Sequence, residues 1–332
     1  MIITNTPASL KARLAALSTD ILAPGDFHDR LAPAIRQYSE LMFSLTGITV
    51  TENEGLADIS TDHGRAIGIF RAGLCINEIF RTQRFCRGLY QAVKDKLQRN
   101  INRPVHVIYA GTGPFATLAL PVIMQFKPTD LQFTLLEINN ESYKVLNQLI
   151  KTLDIGAYVR RVELCNAITW KSPDEDIDIV LSETMNRALI KEPQINIMLN
   201  MVSQLPPDVT YIPEEITVGV AMHQNHGKAL NPLKTLYSFN KQSYRKIIMQ
   251  SAGKQHWIFD TTSLKYALPV NCKLAYTTAI TIYADEKLVE NDCSLNLPKI
   301  ENGPLPQHEV ILHFKYQDSQ SPGFTYTIEL IE

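Results

Sequence analysis

The sequence predicts an α/β fold with a helical preface and a β-rich tail. Three observations predict it. An apolar run, Val105 to Ala110, ends in the glycine turn Gly111-Thr-Gly-Pro114. Strand-like and helix-like patterns alternate from there to about residue 205, and from Tyr211 the pattern turns mostly to strands. At about 150 residues per domain, the 332 residues allow about two domains, or two and an appendage. The expected division is a helical segment over 1–100, an α/β domain over 101–210 and a β-rich domain over 211–332.

In chain order, Leu31, Ile35, Tyr38, Leu41 and Met42 recur at spacings of three or four, the stripe of a helix. A second helical stretch runs over 67–97, with Gly68, Gly73 and Gly88 its main breakers. After the strand at 105–110, Phe115, Leu118, Ala119, Val122, Ile123 and Phe126 repeat with helical period. Pro114 suits the first turn of that helix, and Pro121 should kink it. Strands follow at 132–137, 159–165 and 177–181, with a helix at 142–153. A further helical stripe, Ile195 to Leu205, opens near Pro193 and stops at Pro206-Pro207. This alternation implies a parallel sheet with helices on both faces. Beyond it, strands are expected at 216–222, 273–284, 310–316 and 324–331, while 231–244 reads as a helix or a long excursion. No internal repeat is evident.

Composition narrows the class. With 45% hydrophobic and 20% charged residues, the chain is neither collagen-like, low-complexity nor wholly disordered. A net charge of -2, from 32 basic and 34 acidic residues, supplies no global field for nucleic acid or an anionic membrane, so neither is an expected partner. The five cysteines are odd in number, scattered and without a C-x-x-C pair, which indicates neither a disulfide framework nor a zinc site. The start has no apolar run of signal-peptide type, and the longest apolar stretch, 115–126, falls short of the roughly 20 residues a bilayer requires. A soluble, unprocessed cytoplasmic protein is expected.

Two constellations carry chemistry. Gly111-x-Gly113-x-x-Ala116, between strand and helix, would let the backbone approach a ligand and aim N–H groups at it, with Ala110 closing the strand. Glu137 ends the next strand, 137 − 113 = 24 residues after Gly113, where a carboxylate can accept both hydroxyls of a ribose. Together they define a nucleoside-type pocket without separating a dinucleotide from S-adenosylmethionine; the plain alternative is a tight turn and a solvated Glu. In the second, Glu183 stands at the mouth of the fourth strand and Glu192 follows 192 − 183 = 9 residues later. Two carboxylates at one mouth suit a cation, and a guanidinium can be held bidentately. Alternatively, Glu192 favours its helix N-terminus and Glu183 caps the loop.

Ser182-Glu183-x-Met185 followed by Glu192 resembles the double-E loop of the protein arginine methyltransferases, within the class I S-adenosylmethionine-dependent methyltransferases. Upstream, Glu78-Ile-Phe-Arg81-Thr82 is similar to the family's acidic-x-x-Arg-Thr helix. Downstream, Leu205-Pro-Pro-Asp-Val-Thr-Tyr-Ile-Pro213 is similar to its passage into a β-rich domain, so the resemblance spans about 78–213. It implies a Rossmann-like class I methyltransferase domain with N-terminal helices and a barrel-like or sandwich-like C-terminal domain. It implies S-adenosyl-L-methionine as cofactor, with Ala110, Gly111, Gly113 and Glu137 around it, Arg81 on its methionine carboxylate, and Asn166 and Ala167 bordering the adenine. Glu183 and Glu192 would be catalytic, holding a guanidinium or amine of a small-molecule, peptide or protein acceptor. A homodimer is left open.

The sequence also departs from the family. Val107 and Tyr109 replace the acid and first glycine of the usual turn, Thr184 replaces an aromatic, and the Tyr-Phe-x-x-Tyr helix that closes over the cofactor has no clear counterpart. Gln255-His256-Trp257 is only faintly similar to the family's Thr-His-Trp loop and arrives early. Three rivals remain: a methyltransferase with an unrelated O or N acceptor, a degenerate methyltransferase fold serving as a binding module, and an NAD-dependent oxidoreductase. His223-x-x-His226 lacks an evident third metal ligand. Arg84, Arg87, Lys94, Lys96 and Arg99 are expected on a solvated helix face, and Asp174-Glu-Asp176 in a polar loop.

Overall fold

The computed structural model describes residues 6–26, 28–49, 57–99, 102–224, 230–267, 272–303, 306 and 308–331. Helix α1 (Pro7–Leu22) starts where the Thr6 side chain accepts from the Ser9 N–H, and α2 (His28–Thr46) packs its expected stripe, Leu31 to Met42, into the core. A hairpin of β1 (Ile59–Thr61) and β2 (Gly64–Ala66) leads to α3 (Ile69–Leu74) and α4 (Ile79–Gln98).

Next come β3 (Val105–Ala110), α5 (Leu120–Ile123), β4 (Leu131–Glu137), α6 (Asn140–Thr152), β5 (Val159–Leu164), β6 (Ile179–Ser182), α7 (Gln194–Gln204) and β7 (Thr210–Ile212). The five strands form one parallel sheet in the order β5-β4-β3-β6-β7. Every residue of β3 is buried, as a central parallel strand covered on both faces must be. The chain reverses its direction of strand addition between β3 and β6, which opens a crevice at their carboxyl ends.

The remainder comprises β8 (Glu215–Gln224), β9 (Leu230–Asn240), α8 (Lys241–Gln250), β10 (Thr261–Tyr266), β11 (Cys272–Tyr283), β12 (Glu286–Leu288), β13 (Lys299–Ile300), β14 (Val310–Gln317) and β15 (Gly323–Leu330). One antiparallel sheet runs β12-β11-β8-β9 with β13 on β11, and another runs β10-β14-β15. They meet through an aromatic core: Phe239 on β9 lies 5.4 Å from Tyr316 on β14, and Tyr276 on β11 lies 6.2 Å from Phe314. This is the sandwich-like form of the expected β-rich region.

Helix α4 joins the parallel sheet to this region. Arg87 pairs with Glu286 at 2.6 Å, Arg84 with the same carboxylate at 3.3 Å, and Tyr283 donates to Asp95 at 2.8 Å. A Cβ on Gly88 would stand 2.6 Å from Ile282 Cγ2, so glycine lets helix and strand touch. The solvated basic face is thereby corrected: Arg84 and Arg87 bridge to β12, and Lys96 is buried, donating to Asp208 O at 2.9 Å. Asp174 and Asp176 do lie in a polar loop before β6, where they pair with Arg161 and Arg160.

The helix expected after the glycine turn shrinks to the four residues of α5, and residues 115–119 are turns. Pro121 has no N–H to donate and stands at the start of this helix instead of kinking a longer one. Thr117 O accepts from the Tyr38 hydroxyl at 2.9 Å, so the broken turn is compensated from α2. Pro114 opens no helix. The segment 231–244 is the strand β9 followed by α8, which Asn240 caps by accepting from Gln242 and Ser243 N–H groups. Among the described residues no helix is long and apolar enough to cross a membrane.

Candidate active site

The crevice holds a cavity lined at its β4–β5 end by Glu137, Ile138, Asn166 and Ala167 and at its β6 end by Glu183, Glu192, Arg81 and Cys75, with Gly111 and Gly113 also in its wall. Eight of the nine expected site residues thus come together. Ala110 does not line the cavity; it is fully buried in β3.

At the first end, Glu137 is almost wholly buried at the tip of β4 and accepts from Asn139 N–H at 2.7 Å and the Thr112 hydroxyl at 3.3 Å. Burial raises its pKa against these donors. The glycine turn works differently from expectation. Gly111 and Thr112 N–H both donate to Leu136 O, at 2.9 and 3.3 Å, so these groups brace β4. The glycines are still needed, since both have left-handed φ, +77° and +59°, and a Cβ on Gly111 would overlap Thr184 Cγ2. Asn166 Oδ1 accepts from Ile168 N–H at 3.0 Å, which fixes the loop after β5.

At the other end, Glu183 follows β6 and Glu192 precedes α7. Gln194, fully buried, ties the intervening loop: its Oε1 accepts from Thr184 N–H and hydroxyl, both at 2.9 Å, and its Nε2 donates to Ser182 O at 3.1 Å. Pro193 is the helix N-cap, so neither carboxylate fills that role. Ala188, Leu189 and Lys191 all have left-handed φ, +54°, +55° and +70°. Three such residues in one loop are backbone strain held by its surroundings, including Ala188 N–H donating to Thr278 Oγ1 of β11 at 2.8 Å.

Arg81, nearly buried on α4, donates from Nε to Glu183 Oε2 at 3.0 Å, from Nη2 to the same oxygen, and from Nη1 to Glu78 at 2.8 Å. Glu78 also accepts from the backbone and hydroxyl of Ser294, at 2.7 and 2.6 Å. Glu183 Oε1 is buried without a hydrogen-bond partner among the described residues. Burial pushes the Glu183 carboxyl up to about 7 despite Arg81. It pushes Glu192 up to about 7 as well, with Glu183 adding to the effect.

Sequence reasoning missed the hairpin β1–β2, whose Thr61 and Arg65 line the same cavity. Arg65 N–H donates to Lys191 O at 2.8 Å, docking the hairpin on the loop that carries Glu192. With two strands of three residues each, it offers no periodicity to read; the His63-Gly64 step was its sole signal. Gln255-His256-Trp257 follows α8 and does not line the cavity. His223 Nδ1 is buried without a partner among the described residues, and His226 lies outside them.

No family model matches the sequence, and no curated protein sequence matches it. Solved structures do. Protein arginine methyltransferase 10 of Arabidopsis thaliana superposes with a TM-score of 0.53 at 10% identity, over 76% of this chain and 95% of that one. PRMT6 superposes with a TM-score of 0.50 at 11% identity, over 74% and 96%. PRMT1 from a Trypanosoma brucei enzyme–prozyme complex with AdoHcy gives 0.49 at 11%, over 77% and 92%. The chain has the fold of the protein arginine methyltransferases, a class I methyltransferase domain with a β-rich C-terminal region.

Proposed function

We propose that this chain is an S-adenosylmethionine-dependent N-methyltransferase whose acceptor is a guanidinium or amine held by Glu183 and Glu192. The observation that carries the reading is the pair of desolvated carboxylates at the β6 end of the cavity, one with an oxygen unpartnered among the described residues, across from Glu137.

The residues suit the cofactor. Glu137 would accept from the ribose hydroxyls, the loop of Asn166 and Ala167 would border the adenine, and Gly111 and Gly113 present bare backbone to the cavity. Arg81 keeps two of its five N–H groups beyond the three engaged by Glu78 and Glu183, enough for a carboxylate oxygen. When bound, the sulfonium supplies an electrophilic methyl to a nitrogen aligned with it.

The chain's own work is electrostatic and positional. A cationic acceptor beside a sulfonium is repelled unless anions are fixed nearby, and Glu183 and Glu192 supply two. They localise charge on the guanidinium and leave one nitrogen facing the methyl. With carboxyls near pH 7, either can take the proton that the nitrogen loses on methylation. The five cysteines are free thiols, which suits a reducing cytoplasm.

Calorimetry with S-adenosylhomocysteine and NAD, with methyl-uptake assays on guanidines and amines, tests this. Glu183→Gln and Glu192→Gln should each lower turnover by about 10² to 10³ while changing S-adenosylhomocysteine affinity only a few-fold. Binding of S-adenosylhomocysteine without uptake by any acceptor would make the chain a binding module. NAD binding alone would make it an oxidoreductase.

A further inference from the structure

The acceptor end carries a cation that methyl transfer itself does not use. Arg65 lines it from β2, and its guanidinium is close enough to Glu192 to oppose the effect of burial on that carboxyl. Asp58 engages it through Nη1 alone, at 3.2 Å, and 41% of the side chain is exposed. Its Nε and Nη2 donate to nothing among the described residues.

The hairpin fixes Arg65 in place. Gly64, at φ +124°, lies so near the double-E loop that a Cβ there would sit 2.7 Å from Lys191 O. Beside it, His63 Nδ1 is 2.7 Å from Asp318 Oδ1, which also accepts from Asn196 at 2.8 Å. One end of the cavity therefore has two carboxylates within and a guanidinium on its wall, with spare donors in the planar arrangement that suits a carboxylate.

We propose that the acceptor is a zwitterion, whose guanidinium or amine sits at Glu183 and Glu192 and whose carboxylate is bound by Arg65. This rests on the acceptor reading above. The carboxylate can belong to a free guanidino or amino acid or to an acidic residue beside an arginine in a peptide.

The test uses the full chain loaded with S-adenosylhomocysteine. Calorimetry compares L-arginine with agmatine, the same guanidine without the carboxylate, and acetyl-Asp-Arg-Gly-amide with acetyl-Asn-Arg-Gly-amide. Methyl uptake is measured on the same four compounds. L-arginine, or the Asp peptide, should bind about tenfold tighter than its counterpart without the carboxylate. Arg65→Gln should bring that ratio near one and Arg65→Lys should keep part of it, with retained S-adenosylhomocysteine binding showing that each variant is folded. Preference within the first pair alone assigns a free amino acid; preference within the second assigns a peptide. Equal binding within both pairs, with guanidines methylated, overturns carboxylate selection and leaves the acceptor reading standing. No guanidine or amine bound or methylated by a chain that still binds S-adenosylhomocysteine removes both.

Discussion

Glu183 and Glu192 share a raised pKa but not a neighbourhood, and substitution should separate them. Each folded carboxyl titrates near 7, above its ordinary 4.5, so the stability it contributes is present below about pH 4.5 and lost as pH rises through 7. Glu192→Gln removes that loss, so its Tm should exceed the parent's by about 2 °C or more at pH 8.5 and match it near pH 5. Glu183→Gln also removes the anion that engages Arg81 through Nε and Nη2, leaving Glu78 as the remaining partner, and should lower Tm at pH 8.5. Differential scanning calorimetry at the two pH values checks both. The same ionisations should govern catalysis: with both carboxylates needed, kcat/KM for a cationic acceptor should rise towards a hundredfold per pH unit well below 7 and level above about 8, since only the carboxylates attract the cation.

The turn from β3 and the loop after β6 constrain each other through one contact. Gly111→Ala places a methyl on Thr184 Cγ2 at a left-handed φ, and should destabilise by roughly 2–4 kcal/mol. Thr184→Ser deletes that methyl but keeps the hydroxyl bonded to Gln194, so the double variant should recover all but about 1 kcal/mol, the remaining backbone cost. Chemical denaturation of the four proteins measures the coupling, and additive effects would contradict the packing.

Elements legible in the sequence were those whose burial is periodic or continuous. The buried stripe of α2 and the unbroken run of β3 are examples. The β9 strand was not, because exposed positions recur along it, Pro232 sits within it and its register shifts twice against β8. In the site, Arg81, Glu137, Glu183 and Glu192 could be read because their spacing repeats a motif. Arg65 could not, since a hairpin this short is defined by tertiary contacts to Lys191 and Asp318.

At the scale of the molecule, α4 belongs to both halves. Its inner face covers the parallel sheet, while Arg84, Arg87, Gly88 and Asp95 are matched to β11 and β12. Glu78, at the helix start, links the site to Ser294. A chain ending at residue 210 would lose these partners and expose the side of α4 that packs on Ile282. It should give a broad, weakly cooperative thermal transition, whereas the full chain should unfold in one step by circular dichroism. Two independent transitions in the full chain would show that the helix does not couple the halves.

The shortened α5 bears on which nucleotides the crevice tolerates. Pyrophosphates are held by a row of unspent amides at the head of a helix, with its dipole behind them. In this chain the Gly111 and Thr112 amides are taken by Leu136 O, and five residues of turn separate Pro114 from the helix. A doubly charged diphosphate would lose its hydration there with little in exchange and would meet the Glu137 carboxylate. A nucleoside linked to a sulfonium brings no such charge. Excess ADP-ribose should therefore leave S-adenosylhomocysteine binding unchanged, so that the crevice discriminates by refusing phosphate before any contact with the base.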